Sequence, residues 1–129
     1  MPYFTNGNAS FNMSGGLLKI HNVGISFSGL GNLDTNITGG VIELDGPLFV
    51  FRNDFQPSGG TFRFKGSDDA NLHLDAGSTL HRVEIDKSSR SGGDDRSRNN
   101  KVTLINDLTV TSYMEIISGG LDMGFRTLS

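Results

Sequence analysis

A short motif recurs along this chain: a Ser or Thr, two glycines, then apolar and polar residues in alternation. It runs Ser14-Gly15-Gly16-Leu17-Leu18-Lys19-Ile20, Thr38-Gly39-Gly40-Val41-Ile42-Glu43-Leu44 and Ser58-Gly59-Gly60-Thr61-Phe62-Arg63-Phe64, and returns as Ser118-Gly119-Gly120-Leu121-Asp122-Met123-Gly124. The first three copies begin 24 and 20 residues apart, and the fourth begins 60 residues further on, room for about three more periods. A period of this length built from short strands points to a solenoid, in which each turn buries its apolar face only by stacking on the next. Three strands of about four residues and three Gly/Asn-rich corners consume one period. The paired glycines suit a corner, because they permit positive φ and let adjacent turns approach closely.

The rest of the chain has the same texture. Apolar residues come in alternating bursts, among them Val23-Gly24-Ile25-Ser26-Phe27, Leu48-Phe49-Val50-Phe51, Leu72-His73-Leu74, Leu80-His81-Arg82-Val83-Glu84-Ile85, Val102-Thr103-Leu104, Leu108-Thr109-Val110 and Met114-Glu115-Ile116. Period two over three to five residues reads as very short strands with one buried face. Gly, Ser, Asn, Asp and Thr number 18, 14, 11, 11 and 9 of 129 residues, whereas Ala and Glu number only 3 each. That palette argues against a helical bundle. The expected fold is all-β, a right-handed parallel β-helix of about five or six turns at ~4.8 Å per turn, spanning residues 1–129 as one domain or a fragment of a longer one. Its alternative is an antiparallel β-sandwich or jelly roll, with the Ser-Gly-Gly motifs as hairpin turns. Expected to point inward are Leu18, Ile20, Ile42, Leu44, Phe62, Phe64, Leu72, Leu74, Val83, Ile85, Leu104, Val110 and Ile116.

One stretch breaks the rhythm. From Lys87 to Lys101 there is no apolar residue, and five bases against two acids make it +3 in a chain of net charge −3. It cannot bury enough surface to order itself and is expected to be a mobile loop leaving one corner. No amphipathic capping helix is evident; Met1–Ser14, with Phe4, Phe11 and Met13, is able to fold over one end, whereas Arg126-Thr127-Leu128-Ser129 stops in mid-pattern, so a fragment, or subunits stacking end to end, is expected.

Chemistry is harder to find. A mildly acidic chain gives no overall case for binding nucleic acid. Cysteine is absent, so no disulfide, thiol nucleophile or Cys-ligated metal is possible. No stretch of ~18 apolar residues could cross a membrane, and the N-terminus has no signal-peptide pattern. His21, His73 and His81 read as solvent-facing strand residues, and there is no nucleophile elbow, zinc motif or phosphate loop. The acid pairs Asp68-Asp69 and Asp94-Asp95 lack the spacing of a calcium loop. Glu43, Asp45, Asp75, Glu84 and Asp86 are the acids that stacked turns could gather for glycan cleavage, and Tyr3, Phe55, Tyr113 and Phe125 the aromatics off the obvious inward positions. No catalytic, cofactor or metal site is assigned to any of them.

The C-terminal half carries a resemblance. Gly60-Thr61-Phe62-Arg63-Phe64-Lys65-Gly66-Ser67, His81-Arg82-Val83-Glu84-Ile85-Asp86-Lys87-Ser88, Lys101-Val102-Thr103-Leu104-Ile105-Asn106-Asp107-Leu108-Thr109-Val110-Thr111 and Met114–Leu128 follow one another in a cadence. It resembles repeats in large secreted, adhesin-like parallel β-helix proteins of Bacteroidetes-type bacteria, over about residues 59–129. The resemblance implies a secreted or cell-surface location and a structural, adhesive or filament-forming role without catalysis. A carbohydrate-binding module or a glycan-active β-helix enzyme is the alternative. Expected partners are further copies of the chain, other surface proteins or glycans.

Overall fold

The alternating bursts become strands. A computed structural model, which describes residues 3–4, 9–21, 23–28, 33–88 and 100–129, contains eleven strands and no helix among those residues. They are β1 (Tyr3–Phe4), β2 (Ala9–Ile20), β3 (Ile25–Phe27), β4 (Leu33–Leu44), β5 (Leu48–Val50), β6 (Thr61–Phe64), β7 (Ala70–Leu74), β8 (Leu80–Asp86), β9 (Lys101–Leu104), β10 (Val110–Ser118) and β11 (Gly120–Asp122). Odd-numbered strands form one sheet and even-numbered strands the other, each stacked in chain order. Every pairing in both ladders is parallel. This topology matches a right-handed parallel β-helix of about five turns. It excludes the antiparallel sandwich.

The register gives the period directly. Val41 lies over Thr61, Ile25 over Leu48 and Leu48 over Leu72, spacings of 20, 23 and 24 residues. Then Leu72 lies over Leu104 and Arg82 over Tyr113, spacings of 32 and 31. The excess falls where the polar loop was expected. Residues 89–99 of that loop lie outside the described residues, but its two ends belong to the solenoid: Lys87 is fully buried and Lys101 opens β9.

The Gly-Gly pairs explain how two sheets enclose a core. In β4, Ile37 is buried before the pair and Ile42 and Leu44 after it, so the inward parity switches from odd to even across Gly39-Gly40. The second glycine has positive φ in each case: 82° at Gly16, 87° at Gly40 and 81° at Gly60. That value turns the strand and resets its pleat. The first glycine is needed for close approach. A Cβ on Gly39 would stand 2.5 Å from the carbonyl oxygen of Ser14, and one on Gly59 2.1 Å from that of Thr38. These two pairs therefore ride on the Ser or Thr of the preceding turn.

Beyond this corner lies the third side of each turn. On that side the Thr79 amide donates to the Phe55 carbonyl (2.8 Å) and Leu80 to Thr109 (3.0 Å), and farther on Leu108 bridges Leu128 in parallel, with the amides of Leu108, Ser129 and Val110 donating to the carbonyls of Thr127 (2.9 Å), Leu108 (2.8 Å) and Ser129 (2.9 Å). The fourth Ser-Gly-Gly stands elsewhere. Ser118-Gly119-Gly120 joins β10 to β11, where a Cβ on Gly119 would lie 2.4 Å from the Asn100 carbonyl oxygen. The motif thus marks two different corners.

In-register stacking builds the core as columns. Ile42, Phe62 and Val83 form one, Leu44, Phe64 and Ile85 a second, and Ile25, Leu48, Leu72 and Leu104 a third, all buried. Leu18, Ile20 and Val110 pack against this core, the first two from β2 and Val110 from β10. Rings run through the interior from Phe27 to Phe55 (4.7 Å between centroids) and on to Phe62 (6.2 Å). Ile116 departs from the expected core. It lies in register with Ile85 but is 49% exposed, because no described strand covers the outer edge of β10.

Candidate functional site

Polar side chains on the even sheet face outward in two columns. Lys19, Glu43, Arg63, Glu84 and Glu115 stand one above another, residue for residue across β2, β4, β6, β8 and β10. Arg63 bridges its neighbours: Nε donates to Glu84 Oε2 (2.7 Å) and Nη1 to Glu43 Oε2 (3.5 Å). Lys19 Nζ lies 3.8 Å from Glu43 Oε1. Two residues further along each turn come His21, Asp45, Lys65 and Asp86, with His21 Nδ1 3.6 Å from Asp45 and Lys65 Nζ donating to Asp86 (3.1 Å). Sign alternates from turn to turn, basic, acidic, basic, acidic. Only at the last step do like charges meet, Glu115 over Glu84.

These contacts set the electrostatics. The hydrogen bond from Lys65, followed by that from the Ser118 hydroxyl, holds the Asp86 carboxyl below the usual carboxylate range. The hydrogen bond to Glu84 raises the Arg63 guanidinium. Four of the five acids that sequence reasoning gathered are thus on one face: Glu43, Glu84 and Asp86 are each tied to a cation of an adjacent turn, and Asp45 lies beside the His21 imidazole. General acid catalysis asks for the opposite environment, one that keeps a carboxylic acid protonated. Asp75, the fifth, lies on the odd sheet and hydrogen-bonds His73 Nε2 (2.8 Å).

The histidines are separate from one another. His21 is exposed beside Asp45, His73 is half-buried, and His81 Nδ1 lies 3.3 Å from the Thr111 hydroxyl. Of the acid pairs, Asp69 accepts from the Lys101 amide (3.2 Å), and Asp68 lines a shallow cleft of about 280 Å³ with Asp45, Gly66 and Ser67. Asp94-Asp95 lies outside the described residues. Among the described residues, no group of three or more His, Cys, Asp or Glu side chains is placed to hold a metal ion.

Sequence reasoning missed Lys87. It is fully buried, and Nζ donates to the Lys65 carbonyl oxygen (2.6 Å). Burial lowers its pKa, opposed by the nearby Asp45, Asp68 and Asp69. The signal was in the alternation, since Val83, Ile85 and Lys87 share one parity.

The aromatics are rearranged too. Phe55 is in the core, Tyr113 is exposed under the Arg82 guanidinium (5.2 Å to the ring centroid), and Phe125 projects fully into solvent. The side chain of Tyr3 lies outside the described residues. The rings that do gather outside are Phe49 and Phe51, because Leu48 and Val50 take the inward positions of β5. Their centroids are 5.6 Å apart, and the Phe51 centroid is 4.8 Å from that of His73.

Compared with known proteins, the chain matches no family model, no curated protein and no solved structure. What the resemblance to bacterial surface repeats shares with this structure is the general β-solenoid architecture.

Proposed function

We propose that this chain is a structural or adhesive β-solenoid module, without catalytic activity, that works outside the cell or on its surface. The observation that carries the reading is the self-pairing of the outer charges. Lys19, Glu43, Arg63 and Glu84 neutralise one another between turns, so the face stiffens the stack and offers no converging acid and base. The resemblance over residues 59–129 supports the extracellular placement. The uncovered edge of β10, with Tyr113, Ile116 and Ile117 exposed, supports stacking of copies end to end, since an unpaired strand edge templates further pairing.

The test is a turnover assay on a panel of plant, bacterial and animal glycans, with sedimentation velocity at rising concentration. No released sugar, together with larger species at higher concentration, is the expected result. Hydrolysis of any glycan overturns the non-catalytic reading. A strictly monomeric particle at all concentrations removes the stacking.

A further inference from the structure

Two adjacent rungs of the odd sheet differ in character on their outer face. On β5 and its flanks, Leu48 and Val50 point inward, and Phe49 and Phe51 outward. On β7, Leu72 and Leu74 point inward, and Asn71, His73 and then Asp75 outward. Register places Phe49 beside His73, and the rungs of such a ladder are ~4.8 Å apart. An aromatic row therefore runs alongside a row of amide, imidazole and carboxylate.

We propose that this patch binds glycan, and that its ligand is a β-linked pyranose with equatorial hydroxyls. The inference rests on the reading of the chain as a non-catalytic adhesive module, and gives that module its contact face. A pyranose of this kind has axial C–H bonds on both ring faces and hydroxyls around its rim. Its C–H face matches an aromatic ring, whose π surface is electron-rich. Phe51 supplies one, 47% exposed to solvent, whereas Phe27, Phe55, Phe62 and Phe64 are buried in the core. The hydroxyl rim matches the neighbouring row. Asp75 receives His73 Nε2 on Oδ1 (2.8 Å), and its Oδ2 has no protein partner among the described residues. A carboxylate oxygen is a strong acceptor for a sugar hydroxyl. His73 packs against Phe51 (4.8 Å between ring centroids) while it holds Asp75, so the ring and the acceptor are positioned by one side chain. Asn71, exposed at the other end of the row, adds an amide donor and acceptor. A few fixed polar groups beside apolar surface is the composition of small-ligand sites in general.

The experiment is an NMR titration of the intact chain with tetramers of β-1,4-linked glucose and of β-1,4-linked N-acetylglucosamine. Shifts are expected at Phe49, Phe51, His73 and Asp75, with weak, saturable binding. Phe51→Ala should weaken it about tenfold. Asp75→Asn, which keeps the shape of the side chain, should weaken it severalfold, and Phe125→Ala, at an exposed ring elsewhere, should leave it unchanged. Circular dichroism of each variant confirms the fold. No saturable binding to either tetramer, equal binding by Phe51→Ala, or shifts confined to Tyr113 and Phe125 would overturn the site, with the structural reading left standing. Cleavage of a tetramer bound at this patch would overturn the non-catalytic reading instead.

Discussion

Replacing the first glycine of each Gly-Gly pair by alanine gives a series with a built-in control. At Gly59, the new Cβ would lie 2.1 Å from the Thr38 carbonyl oxygen, where ordinary contact begins at 3.4 Å. Two turns must therefore separate by roughly 1.3 Å. That strains the bond from the Gly59 amide to the Ile37 carbonyl (3.1 Å) and opens the packing beside it. Overpacking of this kind against backbone should cost at least ~3 kcal/mol. At Gly15, which occupies the same place in the first motif, a Cβ meets nothing within 4 Å and φ is not left-handed. Gly15→Ala should be neutral, or stabilising by about 0.5 kcal/mol through the unfolded chain. Gly16→Ala separates the other cause, for it has open space but φ of 82°. It should cost ~1–2 kcal/mol from the left-handed conformation alone. Urea unfolding at constant m would rank the three, and each kcal/mol should move Tm by roughly 4 °C. Equal losses at Gly15 and Gly59, or a larger one at Gly15, would refute the stacked-corner explanation of the motif.

Other consequences are simpler to state. Arg63→Met leaves Glu43 and Glu84 without their shared cation, and should cost about 1 kcal/mol at low salt, less at high salt, in denaturant titrations. Phe64→Ala, at a fully buried column position, should cost about 3–5 kcal/mol in the same assay. Lys87 has a lowered pKa in the folded chain, so the unfolded chain binds the extra proton. Stability should therefore rise as pH climbs from the folded pKa toward 10.5, and Lys87→Met should abolish that rise. Asp86 has the same sense in an acidic window. Its folded pKa lies below 3.8, so its contribution is present above that value and fades as pH falls below it, and Asp86→Asn should flatten this part of the acid limb.

Much of this architecture was legible because stacking repeats its own constraints. The Ser/Thr-Gly-Gly spacing located one corner in three turns, and most of the expected inward residues fill the core. The errors have physical causes. Leu48-Phe49-Val50-Phe51 is apolar at every position, so alternation alone cannot choose which parity is buried. The choice was nevertheless encoded one turn away: Leu72-His73-Leu74 fixes its own parity by its histidine, and in-register stacking carries that back 24 residues to Phe49. Ile116 obeys its parity but lies on the last strand of the even sheet, and a pattern within one strand does not report whether another covers it. Lys87 was hidden because the residues after it are polar, although the alternation through Val83 and Ile85 reaches it. The charge ladder was invisible strand by strand. It appears only when Lys19, Glu43, Arg63 and Glu84 are read across turns.

The in-register parallel stack underlies both the self-paired charges and the proposed contact face. Spin labels test it most directly, since the chain has no cysteine to interfere. With Lys19→Cys labelled against Glu84→Cys and then against Glu115→Cys, three and four rungs apart, the backbone separations should be about 14 and 19 Å at ~4.8 Å per rung. Pulsed dipolar spectroscopy on the longer pair, and continuous-wave broadening on the shorter, should give distances that grow by one rung spacing. Equal distances for the two pairs, or a shorter one to Glu115, would contradict the stack.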